Sequence, residues 1–583
     1  MRLAQSVSHQ DEPLTLPVAE LGRIKWPLLM VSAFFVMAFL IPLGGRPIYS
    51  YTESRYFEIS REMAADSNWV VPTLCGVPYF EKPALLFQTQ LLSLRLFGVN
   101  RFATRLPNAL AVFVIALFFL FFAGRVSGSQ WIAYGTAVLF LTSCYVIVMG
   151  HCVTPDTLLG AATTCSIGSF FLACRASSRS AVFLWLILSG AACGAGFLTK
   201  GFVALILPMM VLTAYLAWSR DWRRLFLYPW IPLAIAFLVA LPWALAIHRA
   251  EPDFWRYFFI EEHVNRFLSH THDKGYEPFY FYIPLFVFGM FPAAGVIFAS
   301  AVGWRAREFW RRPSVRLALC WVFLPFLFFS ISSCKADNYI FPIFPPAAFL
   351  LAAGIGEGMV RDAERTHRYL SRFFLILGWL VIVGGLLTLV LFPLPWHRWF
   401  TSLNNLYPQG YALGFISVPL IILWGCVMVK EHHRLRRAVN GYFLLLALSL
   451  MMTLFVFPMG LFRENFVDYY LPRAMKTVPI QEGDTIIAES SCSVGYAWTL
   501  KRTDFIYLNP KPEISFWFSR YPDRAPGPVY EEWDFQKITT LLAKEPENRT
   551  VYITPRPLEE VLSLLPRPAA AYGTAGDLTV VRY

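Results

Sequence analysis

Apolar residues gather along this chain in long runs near 25–44, 105–124, 130–149, 157–174, 181–198, 202–218, 226–247, 281–303, 314–333, 338–358, 373–393, 412–429 and 438–460. Each run is close to the roughly 20 residues a helix needs to cross the hydrocarbon core. The pattern predicts about thirteen membrane-spanning helices. The polar connectors alternate in character. One set is short and basic: 175–179, 220–224, 305–312, 361–372 and 430–437. The other set is longer and carries fewer excess positive charges, notably 45–83 and 248–280. With the N-terminus inside, all five basic connectors fall on the cytoplasmic side, as the positive-inside rule requires. An odd number of spans then places the chain from about 463 onward outside.

That last segment loses the long apolar runs. It holds turn residues, charges and short β-prone stretches at 484–489, 504–508, 551–554 and 578–583, which predicts a small α/β domain. The expected organisation is an all-α polytopic bundle over 1–462, with outer loops 45–83 and 248–280, followed by an extracytoplasmic α/β domain over 463–583. Without chemistry of its own in view, that domain is expected to be a packing or acceptor-docking cap. No internal repeat or low-complexity segment is evident.

Composition supports the membrane reading. Of 583 residues, 56% are hydrophobic and only 15% charged, far less charge than a soluble chain of this size exposes. The net charge of +12 sits in short clusters between spans rather than in one patch, so nucleic acid is not an expected partner. Most of the ten cysteines lie inside apolar runs and read as small core residues; Cys75, Cys152, Cys334 and Cys492 lie outside them or at their ends, where a bridge is open but unsupported. The first apolar run follows Arg23 and Lys25 without a small-residue cleavage site, which predicts an uncleaved anchor.

The ionisable residues of the outer loops supply the chemistry. The first loop contains Glu53, Ser54, Arg55, Glu58, Arg61 and Glu62 at spacings that fit a helix lying along the membrane surface, then Glu81 and Lys82 before an apolar stretch at 84–98. His151 and Asp156 open one span, Lys200 interrupts two apolar runs, Glu262, His263 and Arg266 follow the seventh span, and Lys335 and Asp337 close the ninth. Any one of these could be a helix cap, an interfacial anchor or a structural ion pair. All of them fall on the outer face, and ionisable groups at membrane depth are costly and usually functional. Cations of this kind suit a phosphate or diphosphate; the carboxylates and the histidine suit a base or a divalent metal. With no Gly-rich nucleotide loop in the chain, an activated lipid is the expected donor.

These segments, Glu53–Met63, Tyr79–Pro83, Asp156, Thr199-Lys200-Gly201, and Glu262-His263 with Arg266, resemble the GT-C glycosyltransferases of the bacterial aminoarabinose transferase group, relatives of protein O-mannosyltransferases that modify lipid A. The resemblance runs through most of the membrane region in the right order. It implies inverting transfer from undecaprenyl phosphate to lipid A or another glycolipid, at the periplasmic face of the inner membrane. It also implies phosphate-binding roles for Arg55, Lys82, Lys200 and Arg266, and a divalent metal, zinc or similar, shared by Glu81 and His263. The family usually carries Asp-Glu where this chain has Thr52-Glu53, so the catalytic role is expected to fall to Asp156 with Glu53 assisting. A carrier of lipid-linked sugars would place its charges nearer the midplane and show two related halves; a protein acceptor and a purely structural subunit are the other readings weighed.

Overall fold

The computed structural model describes residues 25–48, 51–265, 277–332, 335–391, 410–432, 445–449, 467–489, 493–531, 535–544, 549–565, 569–576 and 578–583. Among them, seven helices are long and apolar enough to cross a membrane, and nine spans result if each of two sharply bent pairs is one span. The bent pairs are Gln130–Leu141 with Cys144–His151, at 63°, and Tyr282–Gly289 with Ala293–Trp304, at 83°. Shorter apolar helices at Pro27–Leu40 and Val203–Trp218 match two further expected runs, and Gly410–Glu431 matches another. Most of the expected span at 438–460 lies outside the described residues.

Helix packing in a bilayer depends on close backbone approach more than on apolar burial, because lipid tails are themselves apolar. Gly190 and Gly194, one turn apart on Arg179–Lys200, let that helix lie directly on Trp230–Ala250. A Cβ at Gly190 would stand 2.6 Å from the Pro232 carbonyl oxygen, and one at Gly194 would stand 2.8 Å from that of Ala236. Any side chain there would drive the pair apart.

The first outer loop folds as the helix Tyr51–Ala65, a tight hairpin of β1 (Thr73–Leu74) with β2 (Val77–Pro78), and the helix Leu85–Phe97. The helix Tyr51–Ala65 does not lie on a surface with its charges outward, as its spacing suggests. Glu53, Glu58 and Glu62 are all buried in it: the C-terminal domain covers the face of Glu58 and Glu62, and the membrane bundle covers Glu53 on the other side. Leu85–Phe97 is the interfacial element: Leu92, Leu96 and Phe97 are exposed.

The C-terminal domain carries a six-stranded sheet of order β5-β4-β3-β6-β8-β7. Its strands are β3 (Thr485–Glu489), β4 (Phe505–Leu508), β5 (Val529–Tyr530), β6 (Thr550–Thr554), β7 (Ala571–Ala575) and β8 (Leu578–Arg582). The pairs among β5, β4, β3 and β6 are parallel, with helices as crossovers; β8 runs antiparallel to β6 and β7. Both faces of the central strands are buried, which is why they read as continuous apolar runs. Ile486, Ala488, Phe505, Tyr507, Val551 and Ile553 point toward the membrane-side core that includes Phe57 and Met63. Ile487, Ile506, Leu508 and Tyr552 pack on the far side with Ile538 and Leu542. The four expected strands are present, and β5 and β7 are additional.

Candidate active site

The chain leaves its first helix through Leu43–Pro47 and turns into Tyr51–Ala65, and one side chain fixes that turn. Arg105, fully buried near the start of the helix Arg101–Ser127, donates from Nη1 to the carbonyls of Leu43 and Arg46, from Nη2 to that of Pro47, and from Nε and Nη2 to the two oxygens of Glu53 at 2.9 and 3.1 Å. Arg46 adds a contact to Glu53 at 3.0 Å. Every N–H of the Arg105 guanidinium is thus used, which is what a buried arginine requires to offset its desolvation. Glu53, expected to assist catalysis, is placed as the counter-ion of two buried arginines. Thr52 beside it is exposed.

Two residues beyond Glu53, Arg55 lies among three tyrosine rings, with its guanidinium carbon 5.1 Å from the Tyr56 centroid, 5.6 Å from Tyr79 and 5.9 Å from Tyr51. Its Nη1 donates to Glu513 at 2.5 Å and stands 3.6 Å from Glu81. The Glu81 carboxylate also accepts from the Tyr79 hydroxyl at 3.1 Å. Glu513 comes from the helix Pro512–Arg520 of the C-terminal domain, so that domain adds a carboxylate to the cluster as well as covering it. Burial, with the Glu81 charge adding to it against Arg55, pushes the Glu513 carboxyl up to about 7.

Lys82 pairs with Glu262 and donates to the Glu81 carbonyl at 2.8 Å. Lys200, at the C-terminal turn of Arg179–Lys200, reaches Asp156 Oδ1 at 2.5 Å and sits 4.1 Å above the Tyr339 ring. Asp156 is fully buried in the first turn of Pro155–Arg175, where a carboxylate is favoured by the helix dipole. Its Oδ2 accepts from the Thr154 hydroxyl at 3.0 Å and from Asn338 Nδ2 at 2.5 Å. Tyr56 joins the two halves of the cluster. Burial holds the proton on its hydroxyl, Glu81 and Asp156 add to that effect, and Arg55 and Lys82 oppose it.

Of the expected site residues, Arg55, Glu81, Lys82, Asp156 and Lys200 thus lie in one buried region. Arg266 lies outside the described residues, as does the side chain of His263. Lys335 turns away to the carbonyls of Ser332 and Glu277, and the neighbouring Asn338 and Tyr339 make the contacts instead. His151 is held by the Ile147 carbonyl at 2.8 Å. Sequence reasoning missed Glu513, Tyr56, Tyr79 and Asn338. An arginine opening an apolar helix, Arg105, was the one available signal for the clamp beneath them. Among the described residues no group of three or more His, Cys, Asp or Glu is disposed to hold a metal. The expected metal position therefore has one described ligand, Glu81, which already faces Arg55. Cys75 and Cys152 are free thiols, while Cys334 and Cys492 fall outside the described residues.

Inside the described cluster are three cations, each already matched by a carboxylate, and one further carboxylate; a fourth cation, Lys511, stands exposed at the rim, 5.7 Å from the Tyr51 ring. That arrangement binds a zwitterion better than a simple anion: a phosphate can recruit the cations while a positive group settles on the carboxylates they release.

Known proteins share this architecture. Residues 26–258 match the family described as dolichyl-phosphate-mannose-protein mannosyltransferase. The chain is 32% identical over 498 residues to the undecaprenyl phosphate-alpha-4-amino-4-deoxy-L-arabinose arabinosyl transferase of Edwardsiella ictaluri, covering 85% of this chain and 88% of that one. It is 37% identical to the enzyme of the same description from Erwinia tasmaniensis, covering 87% and 90%. The crystal structure of ArnT from Cupriavidus metallidurans bound to undecaprenyl phosphate superimposes with a TM-score of 0.74 over 96% of this chain and 98% of that one, at 23% identity, which establishes a common fold.

Proposed function

Since the chain belongs to the undecaprenyl phosphate-4-amino-4-deoxy-L-arabinose arabinosyl transferase family and is an integral-membrane GT-C glycosyltransferase, we propose that it moves a 4-aminopentose from undecaprenyl phosphate to lipid A at the periplasmic face. The observation that carries the choice of sugar is the surplus carboxylate at Arg55, Glu81 and Glu513. A neutral hexose offers nothing to it, whereas an ammonium on the sugar neutralises it beside aromatic rings that favour cations.

In this reading Lys82, Lys200 and Arg55 hold the donor's phosphate, with Arg266 as the expected fourth cation. The acceptor oxygen attacks the anomeric carbon from the face opposite the phosphate. The carbon–oxygen bond to the phosphate breaks, its electron pair leaves on the phosphate oxygen, and the cations stabilise that charge as it grows. A proton carried by the acceptor passes to Asp156, whose carboxylate Lys200, Thr154 and Asn338 hold in place. A divalent ion at Glu81 and His263 would compete with the sugar's ammonium for the same carboxylate, so no step here runs through it.

The deciding experiment uses the purified full-length chain with lipid A and two donors, undecaprenyl phosphate carrying either the 4-aminopentose or a neutral pentose. An ammonium–carboxylate contact predicts a preference of about 10- to 100-fold for the amino sugar in kcat/KM, reduced in Glu513→Gln. Equal use of both donors would overturn the assignment of the sugar. No transfer from either would overturn the reaction.

A further inference from the structure

At the other end of the bundle from the cluster, the described residues enclose a cavity of about 330 Å³ lined by Arg125, Arg175 and Arg312, with Ser127, Ser314 and Trp185 among its walls. Arg105 and Arg125 are twenty positions apart on the same helix, so the cavity lies about 30 Å from the Arg105 clamp. That is the thickness of the hydrocarbon core. It is therefore at the cytoplasmic membrane boundary and shares no residue with the site above.

Its walls are built for an anion. Three helices begin there, Gln130–Leu141, Arg179–Lys200 and Pro313–Ile331, and residues of each first turn or its approach line the space: Gly128 and Ile132, Ser177 and Ala181, Ser314 and Val315. The partial positive charge of three helix N-termini converges on one volume. Two helices also end there, but each carries its own arginine in the last turn, Arg125 on one and Arg175 on the other, which offsets its terminal carbonyls. Arg312 gives one contact to Glu357 at 2.6 Å, and among the described residues no aspartate or glutamate lines the cavity, so its walls carry an excess of positive charge.

A second feature distinguishes a lipid from a soluble ion. Trp185, in the pocket wall, stacks on Phe121 at 5.9 Å. Phe121 is exposed on the membrane face together with Val114 and Leu110 of the same helix, as are Phe183, Leu184, Ile187 and Leu188 of Arg179–Lys200, the helix that carries Trp185. The polar cavity thus opens beside an apolar track running up the bundle toward the opposite leaflet.

We propose that this cavity is a binding site for the phosphate headgroup of an anionic lipid of the cytoplasmic leaflet, its acyl chains lying along the Phe121–Trp185 track. Basic pockets at this depth suit such headgroups. A headgroup there would tie together the cytoplasmic ends of helices whose outer ends carry Asp156 and Lys200.

The test compares full-length protein in phosphatidylcholine bilayers with and without phosphatidylglycerol, reading retained lipid by native mass spectrometry and the thermal midpoint. Wild type should keep phosphatidylglycerol and gain stability from it. Arg125→Gln with Arg175→Gln should weaken binding about 30-fold, while Arg125→Lys with Arg175→Lys should keep most of it. Arg220→Gln with Arg223→Gln removes the same cytoplasmic charge outside the cavity and should change little. Equal loss in that pair would overturn the proposal in favour of general surface attraction. Unchanged retention in the pocket variants would overturn it outright, as would binding and stabilisation by inorganic phosphate alone.

Discussion

The pairing of Asp156 with Lys200 separates chemistry from architecture more cleanly than any other contact in the cluster. Asp156 is fully buried, and the Lys200 side chain is about one-tenth exposed. In Asp156→Asn one carboxylate oxygen becomes an amide NH2. That group must face either the Lys200 ammonium or Asn338 Nδ2, and both are donors. The ammonium also loses its counter-ion, although the Tyr339 ring beneath it and its slight exposure keep the cost at the lower end for a broken buried pair, about 3 kcal/mol. Lys200→Met leaves the carboxylate with Thr154 and Asn338 and costs a similar amount. The double variant removes both charges, so it should be more stable than the sum of the single losses by about 2 kcal/mol. Transfer should behave differently. Loss of a proton acceptor costs about 10²- to 10⁴-fold, and the double variant regains none of it. Stability is read by denaturant titration in detergent micelles, and activity by single-turnover transfer. Additive stability losses would show that the two are not a coupled buried pair. Recovery of transfer in the double variant would refute the acceptor role and leave Asp156 as a positioning group.

Two further outcomes follow from the helix Tyr51–Ala65. Burial, with Glu58 adding to it, pushes the Glu62 carboxyl up to about 8; the folded state therefore holds this proton more tightly than the unfolded chain, and stability falls as pH rises from about 4.5 to about 8, by up to about 5 kcal/mol. Glu62→Gln should raise the thermal midpoint near pH 8 and flatten that part of the profile; an unchanged profile would refute the burial argument. Glu53→Gln should cost about 3–5 kcal/mol by leaving Arg105 and Arg46 short of their counter-ion, seen as loss of monodisperse protein on size exclusion, whereas a stable but inactive variant would instead place Glu53 in the chemistry.

Most of the bundle was legible because a membrane leaves few options: backbone groups must be satisfied within each span, so apolar run length maps directly onto helices. The orientation followed from arginine clusters that stay on one side of the membrane. Partner choice was not legible. Spacing showed that Glu58 and Glu62 share a helical face with other charges, but not that the C-terminal sheet would bury that face. Glu513 sits in a segment whose local pattern, Pro-Glu-Ile-Ser-Phe-Trp, describes an ordinary amphipathic helix, and only the fold brings it to Arg55. Lys335 and Asn338 show the same limit at short range. Two residues separate them, and the turn between them decides which one reaches Asp156.

The contact between Arg55 and Glu513 spans 458 residues, and this has a consequence for biosynthesis. At roughly 5–20 residues per second, Arg55 is made about half a minute to a minute and a half before Glu513 exists. Through that interval the carboxylate beside Arg55 is Glu81, at 3.6 Å and beyond hydrogen-bonding reach, so the guanidinium still needs water and the tyrosine-lined cage must stay open to it. The cluster closes only when the final domain has been translocated and has folded onto the helix that carries Arg55. A chain that lacks that domain therefore inserts its helices yet carries an unfinished, hydrated cluster, and folding of the domain onto Tyr51–Ala65 is itself the step that assembles the site.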